Sequence, residues 1–533
     1  MMPLMPKGYL CLVLHAHLPY VRHPEHGDVL EEDWLFEAIT ETYLPLLNRF
    51  QGWCQDKLAW RLTMSITPTL SAMLEDKMLK ERYLRYLDNL IELADKEQGR
   101  VQWDSKLRIV VEMYLQRLYQ CRETYVKIWD CDLLKGFRYF FEAGHLELIT
   151  CAATHPFLPL VQNPVAVGVQ VELGCREFEK QFGRRPQGIW LPECGYYPGL
   201  EEVLSRAGLR YFFVDTHGIT NAEPRPRYGV YAPVVLPNLE IVAVGRDSET
   251  ARQVWSPVEG YPADAWYRDF YHDIGFQLDF DYLKPHLHSL GVRHFTGLKY
   301  QRITGRTENK EVYEPDRASE RASVHADHFL CSRLKQIQWL TEAMPERPPL
   351  VTAPFDAELF GHWWFEGPEW LDKLVRLTAL ESEEIQLIAV PDYLEKFPIV
   401  QICTPAFSSW GEGGYCEVWL NQANDWIYPN LHRIVDRLQD LANQLEIPDR
   451  ILERAMNQAV REILLAQSSD WAFIMKMGTM FDYAVQRTHT HLENADDLLQ
   501  QVERQRIDLE KLEILESRNP IFAEVNYRSF RSN

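Results

Sequence analysis

Six short apolar runs punctuate the chain, and each ends abruptly in a polar residue able to do chemistry. Residues 9–14 run into His15-Ala16-His17, residues 60–66 into Thr67-Pro68, and residues 146–153 into Thr154-His155. Residues 188–191 lead to Pro192-Glu193, residues 211–214 to Asp215, and residues 350–355 to Asp356. Runs this short, rich in β-branched and aromatic residues, read as buried strands. Between them lie helical patterns, such as residues 34–43 and 107–127, with apolar positions three and four apart. Strands that alternate with helices form a mostly parallel sheet. An open sheet spreads its strand ends along an edge, whereas a closed barrel gathers them round one mouth. Reactive groups at so many strand ends therefore favour a β/α barrel.

Charge narrows the ligand. With 56 Lys and Arg against 77 Asp and Glu, the chain carries a formal charge of −21. That field disfavours nucleic acid, anionic membrane and polyphosphate, and leaves neutral polar ligands. No glycine-rich phosphate cradle opens a helix, so no nucleotide cofactor is expected. The run at 9–14 is far short of the roughly 18 apolar residues of a membrane span, and no secretory pattern precedes it. The ten cysteines include no C-x-x-C pair. These features predict a cytoplasmic protein with free thiols.

The 533 residues exceed what one barrel, up to about 400 residues, needs. Residues 218–265 are expected to hold an inserted excursion, marked by the Pro-, Arg- and Tyr-rich stretch 221–237, and residues 301–321 an exposed loop. From about Tyr428 the pattern turns amphipathic and helical, over 431–445, 449–466 and 496–515. The expected division is a barrel domain over 1–400 and a helical domain over 401–533 that contributes to the cleft. Monomer and homodimer are equally compatible with it.

His15 and His17, two apart at a strand end, share a face. Paired imidazoles there bind a divalent metal, hydrogen-bond substrate hydroxyls, or hold a turn. A metal would need further ligands, for which His155 and Asp215 are available. Against metal, the carboxylates Glu193 and Asp356 sit beside indoles and imidazole, Trp190 on one side and His362 and Trp363 on the other. Such rings stack on sugar faces while polar neighbours take hydroxyls. Two carboxyls from different strands also meet the needs of glycoside chemistry. Gly411, Gly413 and Gly414 allow a tight loop that presents Trp410 and Trp419 as platforms. Asp470 either caps a helix or reaches back to the mouth. His489 and His491, two apart in a helix, diverge and are expected on the surface.

The ordered motifs His15-Ala-His-Leu-Pro-Tyr20, Ala153-Thr-His-Pro-Phe-Leu-Pro159, Trp190-Leu-Pro-Glu-Cys-Gly-Tyr196, Phe355-Asp-Ala-Glu-Leu-Phe-Gly-His-Trp-Trp364, Ser408-Ser-Trp-Gly411 and Gln467-Ser-Ser-Asp-Trp471 span nearly the whole chain. In these the sequence resembles glycoside hydrolase family 57, and within it the α-1,4-glucan branching-enzyme-like group. The resemblance implies a distorted (β/α)7 barrel with a C-terminal α-helical domain, acting on α-1,4-glucans by a retaining mechanism without metal or cofactor. It assigns Glu193 as nucleophile and Asp356 as general acid/base, and places His15, His17, Trp34, Glu37, His155, Arg246, Gly260, Trp410 and Asp470 along the glucan sites. Retention implies carboxyl groups about 5–5.5 Å apart. Transfer to the 6-hydroxyl of another glucose makes a branch, and transfer to water hydrolyses. Branching members of the group carry a tyrosine that shields the site, for which Tyr228, Tyr231 and Tyr261 are the candidates. Branching is the first reading and α-amylase-type hydrolysis the alternative; a silent glucan-binding protein and a metal-dependent amidohydrolase stand behind them.

Overall fold

The computed structural model describes residues 5–256, 259–307, 309–398, 401–446 and 449–532. Its centre is a nine-stranded sheet made of β1 (Gly8–Ala16), β2 (Leu62–Ile66), β3 (Leu146–Cys151), β4 (Gly188–Trp190), β5 (Tyr211–Val214), β6 (Val234–Val235), β7 (Val242–Gly245), β8 (Leu350–Asp356) and β9 (Ile385–Leu387). The order is β6-β7-β5-β4-β3-β2-β1-β8, with β9 also paired to β1. All pairings are parallel except the short β6 on β7. One backbone bond, Asp247 N–H to Thr352 O at 2.9 Å, links the end of β7 to β8 and curls the sheet into a distorted (β/α)7 barrel. The six sequence-read runs are all strands of it.

Strand alternation sorts the side chains. Tyr9, Cys11 and Val13 of β1 join Ile149, Cys151, Trp190, Tyr211, Phe213, Val242, Val244 and Leu350 in one buried cluster, the barrel interior. Leu10, Leu12 and Leu14 face the other way and pack against the surrounding helices, each 1% exposed or less. Burial of each contributes about 1.5–3 kcal/mol. The inward series 9, 11, 13 continues to His15, and the inward series of β8 continues from Leu350 to Asp356. His15 and Asp356 are paired in register, so both lie at the C-terminal mouth. Residues 218–265 include β7, a strand of the main sheet.

Helices Ile427–Gln444, Arg450–Ala466, Ser469–Met477, Phe481–Glu503 and Leu509–Arg518 form the C-terminal helical region. Three expectations need correction. The stretch 301–321 is not a loop throughout: Gln301 bridges Val312, and the helix Pro315–Ala343 begins inside it. Its start on Pro315 is the ordinary helix N-terminal signal. The helix expected over 496–515 breaks in two, with Gln505 in the left-handed region at φ 52°. Finally, His491 is not a surface residue. It is 2% exposed and bonded through Nδ1 to the buried Glu462 at 2.7 Å, while His489 stays exposed against Trp426.

Candidate active site

Three imidazoles floor the mouth. His15 Nε2 and His155 Nε2 are 3.0 Å apart, so one ring donates and the other accepts. Burial and the neighbouring imidazoles push His15 well below its ordinary pKa, and burial with His17 does the same to His155. Both are neutral. His17 stacks on His155 with ring centroids 3.7 Å apart and is shifted the other way. Burial opposes its protonation, but Asp470, with Glu193 and Glu358 behind it, outweighs burial and raises the pKa. His17 Nε2 lies 3.0 Å from Asp470, whose carboxyl is held down to about 2 against the effect of burial, mainly by His17. The other His17 nitrogen, Nδ1, bonds Thr67 at 3.1 Å.

The donor atoms of His17, His155 and Asp470 lie within 4.8 Å of one another, close enough to hold a cation. Here each is engaged instead: His17 with Asp470 and Thr67, His155 with His15 and Ser469, and Asp470 with Ser468. Asp215, considered above as a ligand, is tied to Arg246 at 3.0 Å and His217 at 3.1 Å instead.

Glu193 follows β4 in a tight turn. It has φ 60° and Cys194 has φ 52°, both left-handed, and His155 across the mouth has φ 56°. Such backbone costs about 1–3 kcal/mol per residue and collects at functional sites. The turn aims the carboxylate inward, where Oε2 accepts the Trp410 indole N–H at 2.8 Å and Oε1 accepts the Ser469 hydroxyl at 2.8 Å. Trp410 is fixed in turn by its backbone N–H on Glu193 O, and Ser469 by its N–H on His155 O. The C-terminal helix Ser469–Met477 thus inserts its first residues, Ser469 and Asp470, into the barrel mouth. Burial raises the Glu193 pKa, and the Trp410 and Ser469 bonds offset part of the rise.

Asp356 differs in its surroundings. Its carboxyl makes no hydrogen bond among the described residues, and burial, then Glu358 and Glu193, push its pKa well above the ordinary value. Both carboxyls are raised, but the one with two donors is pulled back towards the anion, whereas the one with none is not. Glu358 beside it, raised by burial to about 7, takes bonds from the Tyr43 hydroxyl and the His17 backbone N–H.

A second polar group lies further out. His362 Nδ1 bonds Glu41 at 2.8 Å and its Nε2 lies 3.9 Å from Glu37. Glu41, against its burial, is held down to about 2 by the buried Arg268 and by His362, whereas burial raises Glu37. The loop bearing His362 approaches closely because Gly361 has φ 116°; a Cβ there would meet Glu41 O at 1.8 Å. Trp363 is 53% exposed and stacks on Phe270, and Trp34 packs edge-on to Tyr483.

Other residues singled out from sequence lie differently. Trp190 is fully buried under His15 and Trp410, a wall and not a platform. Trp419 is 1% exposed and stacked on Phe157, so it offers no ring face to a ligand. Gly260 is packed into the turn at Ser256, and Arg246 lies 5.6 Å from the Trp410 ring. Tyr228, Tyr231 and Tyr261 point their hydroxyls at Glu346, Gln336 and His328. Sequence reasoning missed Ser469, Glu358, Tyr43 and Glu41. The first two lie inside quoted motifs, and Glu41 follows Glu37 by one helical turn.

Trp410→Phe keeps the ring and removes the donor. Bonds to charged groups contribute about 1.5–3 kcal/mol, so kcat/KM is expected to fall roughly ten- to a hundredfold. The bond lowers the Glu193 pKa, so its loss raises it, and the acid limb of the pH profile moves to higher pH. An unmoved limb would mean that Glu193 does not set it.

The profile of Glycosyl hydrolase family 57 matches residues 11–405, and that of the 1,4-alpha-glucan branching enzyme C-terminal region matches residues 430–530. A 1,4-alpha-glucan branching enzyme of Thermococcus kodakarensis is 32% identical over 97% of this chain and 78% of its own length. The crystal structure of that branching enzyme with glucose superposes with a TM-score of 0.87 at 31% identity, covering 99% of this chain and 97% of that one. The alpha-amylase AmyC from Thermotoga maritima superposes with a TM-score of 0.92 at 43% identity, covering 99% of this chain and 100% of that one. The motifs at the barrel mouth, the fold around them and these full-length likenesses agree: the chain belongs to glycoside hydrolase family 57.

Proposed function

We propose that the protein is a retaining 1,4-α-glucan branching enzyme. Glu193 attacks the anomeric carbon while the Asp356 carboxyl gives its proton to the departing glycosidic oxygen, leaving a covalent glycosyl-enzyme. Asp356, now ionised, takes the proton from the 6-hydroxyl of an acceptor glucose as that oxygen displaces Glu193. The reading rests on one observation above all: two carboxyls share the mouth, Glu193 with two hydrogen-bond donors and Asp356 with none, its pKa pushed well above the ordinary value by burial and its acidic neighbours. The match of residues 430–530 to a branching-enzyme C-terminal profile supports transfer over hydrolysis. His15, His17, His155 and Asp470 would hold sugar hydroxyls, with the helical part, residues 401–533, completing the cleft of the barrel part, residues 1–400. Cytoplasmic location fits the free cysteines, most of them buried; among the described residues, no helix is long and apolar enough to cross a membrane.

Hydrolysis of α-1,4-glucans is the second reading. It is favoured by the likeness to an alpha-amylase at 43% identity and by the three tyrosine hydroxyls engaged with Glu346, Gln336 and His328. Incubation with amylose separates the two when reducing ends and α-1,6 linkages are measured together. Branch points without a matching rise in reducing ends are expected; reducing ends without branch points would leave hydrolysis. A crystal structure with carboxyl groups more than about 6.5 Å apart would contradict retention.

A further inference from the structure

The loop after β3 and the start of the helix Ser469–Met477 are stitched together through main chain and side chain alike. Ser469 N–H bonds His155 O at 2.9 Å, Pro156 bridges Ser468, and Gln170 Nε2 donates to Gln467 Oε1 at 2.9 Å. His155 sits in this seam at φ 56°, with its ring between His15 and Ser469.

Three contacts in a row then join His15 to Glu193. His15 Nε2 lies 3.0 Å from His155 Nε2, His155 Nδ1 lies 2.9 Å from the Ser469 hydroxyl, and that hydroxyl lies 2.8 Å from Glu193 Oε1. Their direction follows from counting protons. An ionised carboxylate only accepts, so the one proton of the Ser469 hydroxyl goes to Glu193. The hydroxyl oxygen then accepts from His155 Nδ1–H. Both His155 and His15 are neutral, held so by burial first and by neighbouring imidazoles second. A neutral imidazole carries one N–H, so His155 Nε2 is bare and accepts from His15 Nε2–H. His15 Nδ1 is left as the acceptor at the end of the chain, buried and without a hydrogen-bond partner among the described residues. The reverse order would spend the Ser469 proton on His155 and set the hydroxyl lone pairs against the carboxylate, while a buried N–H on His15 stayed unpaired.

We propose that His155 is a positioning residue for Glu193: with its Nε2 held by His15, its Nδ1–H fixes the Ser469 hydroxyl so that the hydroxyl proton stays on Glu193 Oε1. The inference rests on the retaining reading above, in which Glu193 attacks as the anion. It gives His155 a task that does not require touching the sugar, and a sugar hydroxyl on either ring nitrogen would have to displace one of these bonds. Without the imidazole donor Ser469 is free to rotate, and Glu193 keeps only the Trp410 donor in place.

Two measurements test it. Neutron diffraction from a crystal of the full chain exchanged into heavy water should place deuterons on His15 Nε2 and His155 Nδ1, and none on His155 Nε2. Kinetics on α-maltosyl fluoride, whose departing fluoride needs no proton, read the ionisation of Glu193 from the acid limb of kcat/KM. The Ser469 bond lowers the Glu193 pKa, so Ser469→Ala is expected to lower kcat/KM roughly tenfold and to move the limb to higher pH. His155→Ala should move it the same way by less, and in the Ser469→Ala background should move it no further. His155→Asn should hold the limb in place, since the amide nitrogen stands where Nδ1 stood and asparagine tolerates a left-handed backbone. The other titratable groups facing Glu193, namely Asp470, His17, Asp356 and the thiols of Cys151 and Cys194, are the same in every variant. A deuteron on His155 Nε2, a limb unmoved by His155→Ala, an Asn variant no better than the Ala one, or shifts that add in the double variant overturns the inference, while an active wild type leaves the retaining reading standing. A wild-type protein inactive on both the fluoride and amylose overturns both.

Discussion

Glu193→Gln is expected to lose more than about a thousandfold of turnover on amylose, at least about 4 kcal/mol of transition-state stabilisation, while the protein melts with the parent. In the proposed reaction the attacking atom is an Oε of Glu193, and no second carboxylate is placed to replace it: Asp470 is committed to His17, and the Asp356 pKa is pushed well above the ordinary value. The amide is isosteric and keeps one acceptor, which takes the Trp410 indole N–H. Its NH2 then faces Ser469, whose hydroxyl can turn to accept from it. The turn at 193–194, with both residues at positive φ, is a backbone feature that the substitution does not touch. Loss of turnover without loss of fold is therefore the signature. Retention of more than a few per cent of wild-type rate would remove Glu193 from the nucleophile's role.

The barrel was legible because its strands are short, inward-facing and cut off at the mouth. Alternation along residues 9–15 alone places His15 beyond Tyr9, Cys11 and Val13 on one face, and the structure keeps that order. What local patterns did not carry was who meets whom across the chain. The His15–His155 contact spans 140 positions, and the Ser469 hydroxyl reaches Glu193 across 276. Hence Asp470 was named while its neighbour Ser469, the direct donor to Glu193, was not. Tryptophan was misleading for a related reason. Trp410 and Trp419 share one glycine-rich segment, but one indole bonds the Glu193 carboxylate and the other stacks in the core on Phe157. Residues 496–515 show the converse limit: apolar spacing continues through a stretch where the backbone turns at Gln505. His491 was placed outside because its helical partner lay 29 positions away, on Glu462.

Asp356→Ala separates the two halves of the reaction. On amylose the departing oxygen needs a proton, so turnover is expected to fall more than about a hundredfold, the lower end of what positioned acid catalysis contributes. An α-maltosyl fluoride needs none: Glu193 attacks, the carbon–fluorine bond breaks, and fluoride leaves as the anion. The first step should then survive, and the covalent glycosyl-enzyme should accumulate, because no base remains to activate water. The neighbouring Glu358 is fixed by the Tyr43 hydroxyl and the His17 backbone N–H, both on Oε1. Azide, already anionic, requires no base and should restore turnover of the fluoride. Two successive inversions make the product an α-maltosyl azide. Equal loss on amylose and fluoride with no azide rescue would show that Asp356 is not the proton donor. A β-configured azide would mean one displacement only, and would transfer the nucleophile's role from Glu193 to Asp356.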